Sequence, residues 1–202
     1  MEIVIASRNV HKIREFREMF GNLEGVDFTS LLDYPEYEAP AETGKTFKEN
    51  ALIKAKHAAA KLNKWVLADD SGLVVPTLNG APGVISRRYA GDDATDAENR
   101  AKLLESMHGF EDLKRAAYYE CCLVLAGPEI VKKEVTGICE GMITESEKGS
   151  NGFGYDSIFI KHDYDKTFGE LEENTKNRVS HRRKAVDKML PTIETLEQCA
   201  IS

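Results

Sequence analysis

Four alanines pose the first architectural constraint. Ala51, Ala55, Ala58 and Ala59 fall on one side of a stretch that starts at Thr46-Phe47-Lys48-Glu49 and runs to about Asn63. Those first four residues read as a capping box: the Thr side chain caps a backbone N–H while Glu reaches back to the N-cap amide. A helix face with no bulky side chains implies that another element packs closely against it. Upstream, Glu2 to Ala6 is an apolar run too short for a helix and right for a buried strand. The polar break Ser7-Arg8-Asn9 follows, and then Val10, Ile13, Phe16 and Met19/Phe20 recur at helical spacing. A weaker strand covers Val26 to Leu31. Tyr34 to Gly44 is loop, punctuated by Pro35, Pro40 and Gly44.

Past the Ala-rich helix, Trp65 to Ala68 is expected as a strand that ends abruptly at Asp69-Asp70-Ser71-Gly72, with strand character resuming from Leu73 to Val75. Gly80-Ala81-Pro82-Gly83 makes a tight loop. A second capping box, Thr95-Asp96-Ala97-Glu98, starts a helix that ends near Met107. Ala116–Ala126 and Ile130–Ile143 form a long hairpin around Gly127-Pro128-Glu129. Gly149 to Gly154 is loop and Tyr155 to Ile160 strand. One basic helix is expected from Lys176 to Leu190, stopped by Pro191, with a last short helix holding Ile193 and Leu196. No internal repeat or low-complexity linker divides the chain. Mixed strands and helices, joined both by alternation and by hairpins, make the class α/β with α+β character in one domain spanning residues 1–202.

Composition narrows the function classes. Lys and Arg number 27 against 34 Asp and Glu, a net charge of −7, which argues against a general nucleic-acid surface. The start Met1-Glu2 lacks the basic and long apolar segments of a signal peptide, and no apolar run approaches the ~20 residues that span a bilayer. The expectation is a cytoplasmic protein without a membrane or nucleic-acid partner. Cys121, Cys122, Cys139 and Cys199 form no C-x-x-C pair. They read as small buried hydrophobes rather than a zinc site.

Four places could carry chemistry. Asp69 and Asp70 stand at an expected strand end, and Glu42 lies in the loop before the Ala-rich helix. Carboxylates exposed at a sheet rim suit Mg²⁺, a hard cation that keeps several waters, although Asp-Ser-Gly is also ordinary turn chemistry. Ser7-x-Asn9-x-x-Lys12 sets backbone N–H groups and a lysine at a helix start, which suits a phosphate; Asn9 could equally be a simple N-cap. Neither the P-loop nor the dinucleotide fingerprint is present. Lys176 to Lys184 holds five Lys/Arg, one His and no acid, so it needs an anionic partner or an acidic neighbour unless it is a solvated face. Gly149 to Asp156 sets two aromatics among three glycines. Phe153 there could stack on a base or be a buried loop aromatic.

Taken in order, Ser-x-Asn-x-x-Lys, Glu-Thr-Gly, Ala-Asp-Asp-Ser-Gly-Leu, Gly-Ala-Pro-Gly-Val, Gly-Phe-Gly-Tyr-Asp and Ser-His-Arg closely resemble the inosine triphosphate pyrophosphatase family, from Ile3 to about Leu190. The resemblance implies an elongated two-lobed fold around a central twisted mixed sheet, with the nucleotide in the cleft between lobes, and a Mg²⁺-dependent homodimer. It also implies that Ser7, Arg8, Asn9, Val10, His11 and Lys12 contact the triphosphate, with Lys54 on the long helix as a further phosphate contact. Glu42 and Asp70, with Asp69 as a further candidate, would serve the metal, and Asp70 would be the proton acceptor, with Asp69 the alternative base. Ser71, Phe153, Gly154, Tyr155, Asp156, Lys176, His181 and Arg182 would contact the purine nucleoside triphosphate. Two residues depart from the family pattern: Arg8 replaces a glycine and Ser157 a proline. The implied reaction is hydrolysis of ITP, dITP or XTP to the monophosphate and pyrophosphate. Other base specificity, or nucleotide binding without catalysis, are the rival readings.

Overall fold

The computed structural model describes residues 1–21 and 23–201. The side chains of residues 199–201 lie outside the described residues, and with them the reading of Cys199. Chain order is β1 (Glu2–Ile5), α1 (Val10–Phe20), β2 (Asp27–Ser30), α2 (Phe47–Leu62), β3 (Trp65–Val74), α3 (Asp96–Ser106), β4 (Ala116–Ala126), β5 (Val131–Ile143), β6 (Phe159–Lys161), α4 (Glu173–Val179) and α5 (His181–Ile201). The strands form one six-stranded sheet in the order β2-β1-β3-β4-β5-β6. β1 runs parallel to β2 and β3, whereas β5 and β6 are antiparallel, so the sheet is mixed as expected.

The chain divides into two compact units, and β3, β4 and β5 contribute residues to both. The first comprises Met1–Asp70, Cys121–Gly137 and the chain from Arg182 onward. Its core joins Ile3, Ile5 and Leu67 of the sheet to Phe16 of α1 and Val186 of α5. Successive strand residues face opposite ways, so Val4, Val66 and Ala68 look to the other side. There α2 lies, since its Asn50 and Lys54 reach Asp70 of β3. Ala51, Ala55, Ala58 and Ala59 of α2 are fully buried, as the close packing of that face requires, while Ala60 is exposed on the opposite side. The second unit comprises Ser71–Glu120 and Ile138–His181. Leu73, Leu103, Met107, Ile158, Phe159 and Phe168 make its core.

Four local expectations need correction. β3 does not stop at Asp69; it runs unbroken through Asp69, Asp70 and Ser71 to Val74. Both carboxylates are buried, at 4% and 7% exposure, rather than solvated in a turn. Lys12, Lys54 and Arg182, from distant elements, make that possible. Tyr155 to Ile160 is not all strand: Asp156–Ile158 forms a 3₁₀ turn and β6 begins at Phe159. The basic helix is two helices, because Ser180 adopts extended backbone (φ −70°, ψ 162°) between α4 and α5. Pro191 does not end the helix but lies inside α5. A mid-helix proline costs about 3 kcal/mol. Burying Val186, Met189 and Ile193 in the first core, at about 1.5–3 kcal/mol each, outweighs it.

The caps agree more closely. Thr95 and Glu98 make the full reciprocal box. Thr46 caps the Glu49 N–H, but the Glu49 carboxylate takes the Lys45 N–H rather than that of Thr46, so only half of that box forms. Cys121, Cys122 and Cys139 are buried thiols.

Candidate active site

In the first unit the strand-to-helix turn after β1 is built by two side chains. Ser7 Oγ accepts the Asn9 N–H (3.1 Å), and the Asn9 side chain accepts the N–H groups of His11 (3.0 Å) and Lys12 (3.2 Å). The N-cap reading of Asn9 thus holds. One turn into α1, Lys12 Nζ sits 2.8 Å from Asp69 Oδ2. Arg182, at the start of α5 and 2% exposed, bonds Glu15 of α1, lies 3.8 Å from Asp69 and covers the Phe16 ring at 5.4 Å. Burial alone would push the Asp69 carboxyl up. Lys12, Arg182 and Lys54 outweigh that and hold it well below the usual carboxylate range.

Asp70 faces the other side of β3 and meets different partners. Lys54 Nζ lies 2.9 Å from its Oδ1 and 3.3 Å from Glu42 Oε1, and Asn50 Nδ2 donates to Oδ2 at 3.2 Å. Asn50 also accepts the Gly44 N–H (2.8 Å), which anchors the loop carrying Glu42. Burial raises the Asp70 pKa, and the charge of Lys54 offsets this only in part. Neighbouring carboxylates are thereby driven apart in acidity by what each face of the strand supplies.

Glu42 and Asp70 converge on one ammonium, that of Lys54, so the pair can present hard oxygens to a single cation. Among the described residues no group of three or more His, Cys, Asp and Glu converges. Mg²⁺ asks for less, since one or two carboxylates plus waters and phosphate oxygens suffice. The donor set fits. Asp69, turned toward Lys12 and Arg182, is not part of that pair.

Arg8, Val10 and His11 are exposed at the same turn. Arg8 donates to the Tyr37 carbonyl at 2.6 Å and so ties the turn to the loop before α2. Among the described residues, left-handed backbone at non-glycine positions is confined to Asn63, Asn79, Asp112 and Asp163. The replacement of a glycine by Arg8 therefore carries no backbone strain.

The second unit gathers the aromatic residues. Asp156, 4% exposed, is a hub: its Oδ1 accepts the Tyr119 hydroxyl (3.2 Å), and its Oδ2 accepts Lys176 Nζ (2.6 Å) and the Phe153 N–H (2.9 Å). Gly152, at φ +76°, is required there, because a Cβ would lie 2.1 Å from Asp156 Oδ2. Lys176 Nζ stands 4.7 Å from the centre of the half-exposed Phe153 ring, and the His181 ring stacks on Tyr119 at 4.7 Å and 10°. The loop is clamped from α3: Gly154 donates its N–H to Asp96 (2.7 Å) and accepts Arg100 Nη1 at its carbonyl (2.9 Å). Tyr155 donates to the Ser86 carbonyl at 2.7 Å. Ser157 donates to Glu147 (3.0 Å), which also pairs with Arg100, so a hydrogen bond restrains the loop where a proline is absent. Arg100→Leu should loosen the clamp and raise KM for a nucleotide about three- to tenfold with kcat unchanged, measurable by steady-state kinetics.

The basic island is part paired and part solvated: Lys176 pairs with Asp156, Arg182 with Glu15 and Arg183 with Asp187, whereas Arg178 and Lys184 are exposed. The first unit thus brings together Ser7, Asn9, Lys12, Glu42, Lys54, Asp69, Asp70 and Arg182. The second brings together Phe153, Gly154, Tyr155, Asp156, Lys176 and His181, while Ser71 follows Asp70 on β3, half-buried. Sequence reasoning missed Asn50, Glu15, Arg100 and Tyr119. Asn50 and Lys54 are one helical turn apart, and Glu15 is three residues past Lys12, so helical spacing was an available signal for both. Nothing local marks Tyr119.

A mixed sheet carrying two lysine-paired aspartates, with an aromatic cluster in the second unit, makes an α/β protein whose groups suit an anionic ligand with a flat ring. The chain belongs to the Ham1 family, whose model matches residues 3–192. It is 55% identical to the dITP/XTP pyrophosphatase of Protochlamydia amoebophila, over 97% of this chain and 99% of that one, and 52% identical to that of Chlamydia abortus, over 97% and 96%. Among solved structures it is similar to a HAM1 protein from Coxiella burnetii (TM-score 0.87, 40% identity, 96% of this chain and 98% of that one). It is also similar to the Staphylococcus aureus Ham1 protein (TM-score 0.85, 40% identity, 96% and 99%).

Proposed function

We propose that this protein hydrolyses non-canonical purine nucleoside triphosphates, ITP, dITP and XTP, to the monophosphate and pyrophosphate. The observation that carries the reading is the unequal pair on β3: Asp69 locked by Lys12 and Arg182, Asp70 beside Lys54 and Glu42. Full-length relatives named dITP/XTP pyrophosphatase support it. Lys12 and Lys54 supply the positive charge a triphosphate requires. Asp70 accepts a proton from the attacking water. The water oxygen bonds to the α-phosphorus as the bond to the bridging oxygen of pyrophosphate breaks. Its raised pKa, against the lowered one of Asp69, makes Asp70 the stronger base of the two. Glu42 and Asp70 would hold Mg²⁺, which stabilises charge on the leaving pyrophosphate when bound.

On the base side, Phe153 offers a stacking face and His181 a ring N–H donor to the 6-carbonyl of hypoxanthine or xanthine. Adenine has an amino donor there, so donor would meet donor. Arg182, whose guanidinium lies on Glu15 and Asp69, contributes through the carboxylate cluster. The protein acts as a cytoplasmic homodimer in this reading. No helix of the described residues is long and apolar enough to cross a membrane.

Product analysis tests the site of cleavage. ITP with Mg²⁺ should yield IMP and pyrophosphate in equal amounts, and chelation with EDTA should stop the reaction until Mg²⁺ is restored. IDP with orthophosphate would place attack at the γ-phosphorus and sink the assignment.

A further inference from the structure

Tyr119 belongs to no motif, yet it touches two of the candidate substrate residues, His181 and Asp156. It lies in β4 at 7% exposure, and the His181 imidazole is parallel to its ring within 10° at 4.7 Å. The Phe168 ring, parallel within 7° at 6.1 Å, and the Phe159 ring, edge-on at 4.7 Å, also pack against it. Its hydroxyl is fixed on Asp156 Oδ1. The other oxygen of that carboxylate holds Lys176 and the Phe153 backbone. A ring pinned by two phenylalanines and one hydrogen bond cannot tilt without disturbing all of them, so it imposes its plane on whatever stacks on it. His181 opens α5 directly after the extended residue Ser180, which leaves its ring to be oriented by packing rather than by a preceding helical turn.

We propose that Tyr119 is a specificity-determining positioning residue, the stacking platform that sets the plane of the His181 imidazole and hence the direction of its N–H donor toward the base. The inference rests on the nucleotide reading above and extends it to a residue that need not touch substrate. A donor aimed along one direction accepts a carbonyl at the 6-position and meets an amino group badly. A donor free to turn would discriminate less. The ring carries the platform function, while the hydroxyl braces it against Asp156.

The test is steady-state hydrolysis of ITP and ATP by full-length wild type, Tyr119→Phe and Tyr119→Leu, with kcat and KM read separately. Tyr119→Leu removes the platform and should lower the ITP-to-ATP ratio of kcat/KM about tenfold, through KM for ITP, with kcat at saturating ITP within about twofold. Tyr119→Phe keeps the ring and should hold the ratio within about threefold of wild type. In parallel, the ring-proton NMR signals of His181, displaced by the Tyr119 ring current, should move to unstacked positions in the leucine variant and stay in the phenylalanine variant. A leucine variant with displaced His181 signals and an unchanged ratio overturns the proposal. So does a phenylalanine variant that loses as much discrimination as leucine. Tyr119→Met replaces leucine, with the same two outcomes, should the leucine variant not fold. Failure of the nucleotide reading itself is a different result: wild-type protein that leaves ITP intact.

Discussion

Asp70→Asn is expected to lower turnover of ITP by about 10²–10⁴ in saturating Mg²⁺, the scale of a lost general base, in a protein that still folds. Two opposed effects meet in its stability: burial favours the uncharged form of Asp70, whereas Lys54 beside it is held charged in part by that carboxylate. Burial raises the folded-state value of Asp70 above that of the unfolded chain, so its contribution to stability is fully present below the unfolded value. It is lost as pH rises through the folded one. An amide of the same shape removes the burial penalty of the charge but leaves Lys54 with Glu42 as its ion-pair partner, so the melt should shift less than that of Asp69→Asn. Asp69 has the opposite sign: its depressed value supports the fold above the unfolded pKa and is lost only as pH falls through the folded one. Asp69→Asn should therefore melt lower than wild type at pH 7. Thermal melts of both variants, beside the pyrophosphate assay, separate base from brace. Near-normal turnover in Asp70→Asn would transfer the base role to its neighbour.

Arg182→Ala is expected to be the most destabilising single change in the first unit. It would leave Glu15, 3% exposed, and in part Asp69, 4% exposed, as buried carboxylates without their guanidinium. Breaking a buried pair in this way costs about 3–5 kcal/mol, against a total stability of about 5–15 kcal/mol. Glu15→Gln combined with Arg182→Met removes both charges and should recover much of that loss, because Lys12 remains to hold Asp69. Urea denaturation of the three proteins measures the difference. A single variant within about 0.5 kcal/mol of wild type would show that the pair does not brace α1 against α5.

Much of the fold was legible because its signals are local. Glu2–Ile5 and Val10–Phe20 follow from apolar spacing, Thr95 announces α3, and the hairpin of β4 and β5 turns where Gly127 and Pro128 stand. Asp69 and Asp70 misled because an Asp-Asp-Ser-Gly run is turn chemistry in isolation. What keeps the strand going is Lys12 and Lys54, 57 and 16 residues away in sequence. The break at Ser180 and the survival of α5 past Pro191 are likewise set by what the helix buries, not by its own composition. Candidate site residues were legible by motif, whereas their supports were not. Glu15, Asn50, Arg100 and Tyr119 act across elements, and only the folded chain shows what each one holds.

The unbroken course of β3 has a consequence for how errors would spread. Asp69 and Asp70 are bonded neighbours that stand back to back, one toward α1 and α5, the other toward α2. Nothing in either side chain distinguishes them; their identities come from the pairing of β1 with β3, Ile3 to Trp65, Val4 to Val66 and Ile5 to Leu67. A slip of one residue in that ladder would put one aspartate in the other's place and bring Ala68 or Ser71 into the place it vacates, so base or brace would be lost without altering either aspartate. The short strand β1, none of whose residues is a candidate site residue, is thus the alignment mark of the candidate active site, and a single-residue insertion between Trp65 and Ala68 should silence the enzyme while leaving every motif intact.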